Sequence, residues 1–420
     1  MQLAGLLSLV QDIPAYAALR QRAEEGAALP PLALVHSARP FLAAALSRDL
    51  ARPTLILTAR SEQAYQWADT LRAWLPEPAR VHLFADPDAL PYERITWSRE
   101  TRQQRLGTLV ALTQTPRASD APSQPPVIVA SARALALLTL PRRELALALR
   151  PLRSGQMTEM AGLLEKWLGW GYQPATVVEE PGAFSRRGGI VDVWAPNLPW
   201  PLRLELFGNE IDSLRFFDPS TQRTLPAEQG GRVSEVLLGP ASEALPRYGP
   251  AAQLRLEALD LTPCHAPAQH DFERERSQLL SGVGFRGVEW YIPYLYSQPA
   301  TLLDYLPTNG LLLVDDGAEL TATLSDLQAQ AEQLARDLTN AGELPHGALR
   351  PYAAVDDLRL RLQARQPVLL GFGDLMGRPV AQGTDLAHAF LPAPHFGSKV
   401  RRVVEEAEAW RKAGQRTVLI

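Results

Sequence analysis

Four short apolar runs recur through the first 130 residues: LALV at 32–35, TLIL at 54–57, VHLF at 81–84 and VIVA at 127–130. Runs of this kind have no polar face, so each must be covered on both sides. The segments between them carry apolar residues at helical spacing. Leu42, Leu46 and Leu50 mark one helix, residues 61–75 a second, and Arg102, Arg105, Leu106, Leu109 and Leu112 a third. Strand and helix in alternation, with strands buried on both faces, predict a parallel sheet flanked by helices. The Pro- and Ser-rich stretch 118–126 reads as a surface loop.

Such folds commonly hold a nucleotide phosphate at the turn after the first strand. Here that turn is Val35-His36-Ser37-Ala38-Arg39-Pro40, and no glycine occurs between Gly26 and Gly107. A phosphate cradle needs glycines for close backbone approach, a lysine for the β/γ-phosphates and a Ser or Thr for magnesium. The chain has only three lysines, Lys166, Lys399 and Lys412, and none follows a Gly-rich turn. Ser37 is expected as a helix cap and Arg39 as a solvated side chain. Val314-Asp315-Asp316 ends a further apolar strand and is similar to a magnesium-binding strand end. Without the glycine loop it reads as a relic or a helix cap. His36, Ser37, Ala38, Arg39, Asp315 and Asp316 together mark a degenerate nucleotide site.

Past residue 153 the period changes. A short helix over 157–168 precedes candidate strands at 175–180, 189–194, 202–207 and 211–217. Leu202, Leu204 and Leu206 alternate with Arg203 and Glu205, the pattern of a half-buried strand. Gly208-Asn209 suits a tight hairpin. Residues 154–245 therefore form a small antiparallel domain inserted into the parallel one, 1–153. Residues 246–345 return to the first domain through the charged helix 272–280, the strand 311–314 and a long helix over 320–338. Residues 346–396 read as a linker. Residues 397–420 read as the opening of a further, truncated domain, with a helix at 400–412 and a strand beginning at 417.

Several function classes fall away. One cysteine, Cys264, rules out an internal disulfide framework. No apolar run reaches the roughly 18 residues of a membrane span. No positive charge precedes the apolar N-terminus, and Asp12 follows it, so an amphipathic helix is expected rather than a secretory signal. The expected compartment is the cytoplasm. Residues 1–153 carry a net charge of +5 and the remainder is acidic, too weak a bias to declare nucleic-acid binding. Gly282-Val283-Gly284-Phe285-Arg286-Gly287 matches G-x-G-x-x-G, but it follows a helix and precedes Pro293, the wrong context for a dinucleotide. Cys264-His265, with His270 and Asp271, lies between prolines and reads as a loop rather than a zinc site.

What remains is the stretch 181–193. Phe184, Arg186 and Arg187 occupy a glycine-flanked turn leading into a strand. Arginines and aromatics anchor protein interfaces, so the turn is either a solvated hairpin end or a recognition surface.

Here the sequence resembles a known family. EEPGAFSRRGGIVDVW at 179–194 and PLRLELFGNEIDSLRFFDPSTQRT at 201–224 resemble the inserted domain of the bacterial transcription-repair coupling factors, itself similar to the UvrA-binding domain of UvrB. LPYER at 90–94 with Arg105-Leu106, GVEWYIPYLY at 287–296 and TLLDYLP at 301–307 resemble the flanking domain. The likeness covers roughly residues 1–345. It implies an α/β fold: a helicase-like parallel-sheet domain with a degenerate P-loop, carrying an inserted small α+β UvrA-binding domain. It implies that this chain alone is no enzyme and takes no cofactor, ATP and magnesium belonging to motor domains elsewhere in the family. It further implies UvrA as partner, through Arg187, Arg186, Phe184 and Arg203, with Gln173 standing where some relatives have arginine. RNA polymerase and double-stranded DNA would engage other family regions. Two rival expectations are a nucleotide-hydrolysing helicase-like domain and a damaged-DNA-binding module built on the basic first block.

Overall fold

The computed structural model describes residues 3–75, 81–114, 124–378, 384–390 and 400–414. In chain order its strands are β1 (Thr54–Thr58), β2 (Val81–Phe84), β3 (Val127–Ser131), β4 (Arg150–Arg153), β5 (Gln173–Pro174), β6 (Ala183–Arg187), β7 (Ile190–Val193), β8 (Leu202–Phe207), β9 (Glu210–Phe216), β10 (Arg232–Val233), β11 (Glu235–Leu238), β12 (Leu311–Val314) and β13 (Val368–Leu369). The first sheet has the order β13-β12-β1-β3-β2. It is parallel throughout, with Leu55 beside both Leu312 and Ile128.

Alternate residues of β1 explain why its whole sequence is apolar. Leu55 and Leu57 enter one core with Leu109, Ile128 and Ala130. Ile56 enters the other with Leu42, Leu46, Trp67 and Leu71 from the helices Arg39–Leu50 and Ser61–Trp74. The N-terminal 3-10 helix Ala4–Asp12 and helix Pro14–Glu24 seal that second core through Leu7, Val10, Tyr16 and Leu19.

Two segments depart from expectation. Residues 32–35 are not a regular strand. Leu32 and Leu34 do donate to the carbonyls of Leu369 and Leu370, but Ala33 between them takes φ 55°, a left-handed conformation that interrupts a ladder. The other departure is the expected linker, 346–396. Its described portion contains the helix Val355–Ala364 and the edge strand β13, which pairs with Leu313 and Val314. It is therefore part of the parallel-sheet domain. Two-residue β13 is too short to leave a periodic signal. The helix Val400–Lys412 lies where a helix was expected, and the strand expected from 417 lies outside the described residues.

The inserted domain enters and leaves through one narrow neck, β4 paired antiparallel with β11 from Arg150–Leu238 to Arg153–Glu235. Between them the sheet β10-β9-β8-β7-β6-β5 curls around the helix Met160–Gly169. Trp167 is fully buried and packs against Phe184 and Tyr172. Gly208, at φ 64°, makes the two-residue turn between β8 and β9. Residues 175–180, read as a strand, are instead a loop. Pro174 and Pro181 remove two backbone donors there, and the Thr176 carbonyl accepts from Ser185 and Arg187.

Candidate functional site: a recognition face and a sealed strand end

Strand register sorts the side chains of the inserted sheet. Ser185, Asp192, Arg203 and Arg215 lie in one row across β6 to β9, with Arg232 continuing it on β10. Arg187, Ile190, Glu205 and Ser213 form the next row on the same face. Opposite faces alternate along a strand, so Phe184, Val193 and Leu202 point the other way. The structure accordingly places Phe184, expected at the surface, in the core against Trp167. It supports β6 rather than offering a contact.

The arginines of this face divide by what they touch. Arg203 is held: its Nε and Nη2 donate to the two carboxylate oxygens of Asp192 at 2.7 and 2.9 Å, and its guanidinium lies 4.7 Å from the Phe217 ring centroid. The hydrogen bond to Asp192, more than any other cause, raises the Arg203 pKa. Arg215 pairs with Glu205, which also accepts from Ser213 at 2.9 Å. The Ser213 bond is the main reason the Glu205 carboxyl sits below its usual range. By contrast, Arg187 is exposed on this face, and Arg186, which alternates onto the other face in register with Val191, is exposed at the same sheet end; neither has a carboxylate partner among the described residues. Their hydrogen bonds go to backbone carbonyls, Gly188 at 3.4 Å and Thr176 at 3.0 Å. Gly188 takes φ 63° to turn the chain beside them. Gln173 is exposed on the edge strand β5, beyond β6. Thus Arg186, Arg187 and Gln173 present themselves to solvent, Arg203 supports the face and is partly reachable, and Phe184 is internal.

The second candidate place is the C-terminal end of the parallel sheet. His36 and Ser37 are exposed in a 3-10 turn, and Ala38 is buried. Ser37 caps nothing; the next helix begins at Arg39 without a side-chain cap. Arg39, expected in solvent, is 7% exposed. Its Nη1 donates to Asp315 at 2.8 Å and its Nε to the Leu34 carbonyl at 3.1 Å. Asp316 caps the helix Gly317–Asn340 by accepting from the Glu319 amide, and its other oxygen accepts from the Phe372 amide. The chain then presses down on this end. A Cβ at Gly371 would lie 2.6 Å from both the Asp315 carbonyl and an Asp316 carboxylate oxygen. Of the charged groups expected to mark a degenerate nucleotide site, Arg39 and Asp315 are therefore bound to each other, and Asp316 to backbone.

A feature missed in the sequence joins the two domains. Arg105 and Glu243 form a fully buried ion pair with two hydrogen bonds, at 2.6 and 3.0 Å. Arg105 also donates to the Ala85 carbonyl and lies over Phe84, while Thr139 donates to Glu243. The Glu243 carbonyl accepts from Tyr296 of the return segment. One signal was available: Arg105 shares the i, i+4, i+7 stripe of Leu109 and Leu112, a core face.

Fold and face together define a class, an α/β helicase-like chain with an inserted protein-interaction domain. The family model described as "UvrB interaction domain" matches residues 151–243, within the limits of the β4–β11 neck and its exit. The chain is 30% identical over 319 residues to the transcription-repair-coupling factor of Bacillus subtilis, covering 74% of this chain and 26% of that protein. It is 28% identical over 410 residues to that of Myxococcus xanthus (90% and 32%) and 27% identical over 331 residues to that of Escherichia coli (78% and 26%). The chain is thus a homologue of the transcription-repair-coupling factors that carries a segment matching the UvrB interaction domain. It spans between a quarter and a third of the length of these curated relatives.

Proposed function

We propose that this chain acts in transcription-coupled nucleotide excision repair as a docking module, recruiting UvrA to stalled RNA polymerase through the exposed β6–β7 end of its inserted domain. The observation that carries the reading is the exposed pair Arg186 and Arg187, unpaired with any described carboxylate, within a UvrB interaction domain. A guanidinium carries five donors, and among the described residues each of these two spends only one nitrogen on a backbone carbonyl. Arg203 and Gln173 flank the pair. Engagement of RNA polymerase and double-stranded DNA, and any ATP-driven motor, would reside in parts of the longer relatives that this chain does not match. For this chain we propose no ATPase of its own; the buried Arg39–Asp315 pair supports that.

Calorimetric titration of UvrA into the wild type and into the Arg186→Ala/Arg187→Ala variant tests the docking face. Loss of interface anchors costs about 2 kcal/mol or more, roughly thirtyfold in affinity. Equal affinities would remove the assignment. ATP hydrolysis by the isolated chain that Arg39 or Asp315 variants abolish would favour the hydrolase reading instead, and steeply salt-dependent binding to damaged DNA the nucleic-acid reading.

A further inference from the structure

A cavity of about 430 Å³ lies where the inserted domain meets the parallel-sheet domain. Gly171, Gln173 and residues 180–183 wall it on one side. Thr96 and Arg102 wall it on the other, and Gly284, Arg286 and Glu289 complete it. The G-x-G-x-x-G stretch that makes no dinucleotide site thus lines this space. Its glycines have a packing reason. A Cβ at Gly284 would lie 3.0 Å from Pro246 and 3.4 Å from the Gln173 amide nitrogen. Gly287 takes φ 81°, and a Cβ there would meet the Arg94 carbonyl at 2.8 Å.

Two polar groups on the wall lack partners. Glu289 is 6% exposed; one carboxyl oxygen accepts from Ser242 at 3.1 Å and the other, Oε2, has no hydrogen bond. The Nε of Arg102 is buried and equally unpartnered. Buried polar atoms are almost always satisfied, by protein groups or by ordered water, and these two are unsatisfied beside one cavity. The sign of any ligand there follows from the other charges. Arg102 and exposed Arg286 contribute two cations. Glu180 at the rim is already paired with Arg99 at 2.8 Å. Burial pushes the Glu289 carboxyl up from its ordinary value, disfavouring its charged form.

We infer that this interdomain cavity binds an oxyanion, a carboxylate or phosphate group, held by Arg102 and Arg286. Carboxylate and phosphate match guanidinium geometry better than other anions. The group can arrive on a free small molecule or on an acidic side chain of a bound protein.

Titration calorimetry on the full chain separates these cases. The probes are citrate, inorganic phosphate and an acetylated tetraglutamate peptide, against sodium chloride at matched ionic strength. We expect saturable binding of at least one probe, weakened tenfold or more in Arg102→Gln and in Arg286→Ala. The second variant is on an exposed loop and keeps the test valid if the first misfolds. Response to citrate or phosphate alone assigns a free ligand, and response to the peptide alone a partner's acidic side chain. Heats equal to those with chloride, or affinities unchanged in both variants, would overturn the proposal.

Discussion

Arg39 and Arg187 each sit at a turn next to a strand end, yet the fold treats them oppositely. Arg39 follows an irregular segment packed beside β13, and the ends of β12 and β13 close over it. Its guanidinium is bound to Asp315 and to a backbone carbonyl. Arg187 ends β6 in a sheet with one solvated face and, among the described residues, hydrogen-bonds only the Thr176 carbonyl. An arginine stays open to solvent where the surrounding chain supplies no carboxylate to hold it. The parallel domain uses its charges to hold itself together; the inserted domain leaves some of them open.

The sharpest way to break that contrast is Arg39→Ala. Removing one member of a buried pair leaves Asp315 uncompensated and is expected to cost about 3–5 kcal/mol, read as a lowered midpoint in urea unfolding. UvrA affinity, measured on the protein still folded, should not change. A loss under about 1 kcal/mol would show that the strand end is wetter than described. Replacing both partners, Arg39→Met with Asp315→Leu, should recover most of the stability.

Arg203 should behave as an intermediate case, because it is both held and partly reachable. Truncation to alanine forfeits a bidentate charged hydrogen bond, about 1.5–3 kcal/mol, and weakens UvrA binding as well. A change in binding without any change in unfolding would move Arg203 into the class of Arg187. The Arg186→Ala/Arg187→Ala variant should lie at the far end, with unfolding within about 0.5 kcal/mol of wild type while affinity falls. A large stability loss there would erase the distinction between the two regions.

The sequence made one side of this contrast far more legible than the other. Apolar runs at 54–57, 81–84 and 127–130 predicted β1, β2 and β3, because burial on both faces forces continuous apolarity. The hairpin at Gly208-Asn209 was equally readable from its turn chemistry. The pairing of Arg39 with Asp315 was not, since 276 residues separate them and an arginine looks the same whether solvated or buried. Glu243 with Arg105 was hidden for the same reason. Phe184 misled because aromatic and arginine neighbours suggest a surface, whereas period-two alternation from Arg187 would have put it on the face opposite Ser185 and Arg187.

The smallest expected effect concerns Glu289, a buried acid of the sealed kind but with one oxygen unpartnered. Desolvation is the main cause of its raised pKa, opposed by Arg102 and Ser242 and reinforced by Glu243. In the unfolded chain it should titrate near its ordinary value of 4.5. Between that value and the higher folded one, the folded state binds the proton and the unfolded state has released it. Rising pH therefore draws the equilibrium toward the unfolded chain across that window, and below pH 4.5 the contribution vanishes. Glu289→Gln keeps the shape and removes the titration. Its stability relative to wild type should rise as the pH increases from about 4.5, the direction set by linkage, and then level off. Urea midpoints for both proteins, measured across that range, check this. Parallel curves would mean that folding leaves the Glu289 pKa unchanged, and a relative stability of Glu289→Gln that falls with rising pH would mean a charged carboxylate paired with Arg102, placing it with Asp315 rather than apart from it.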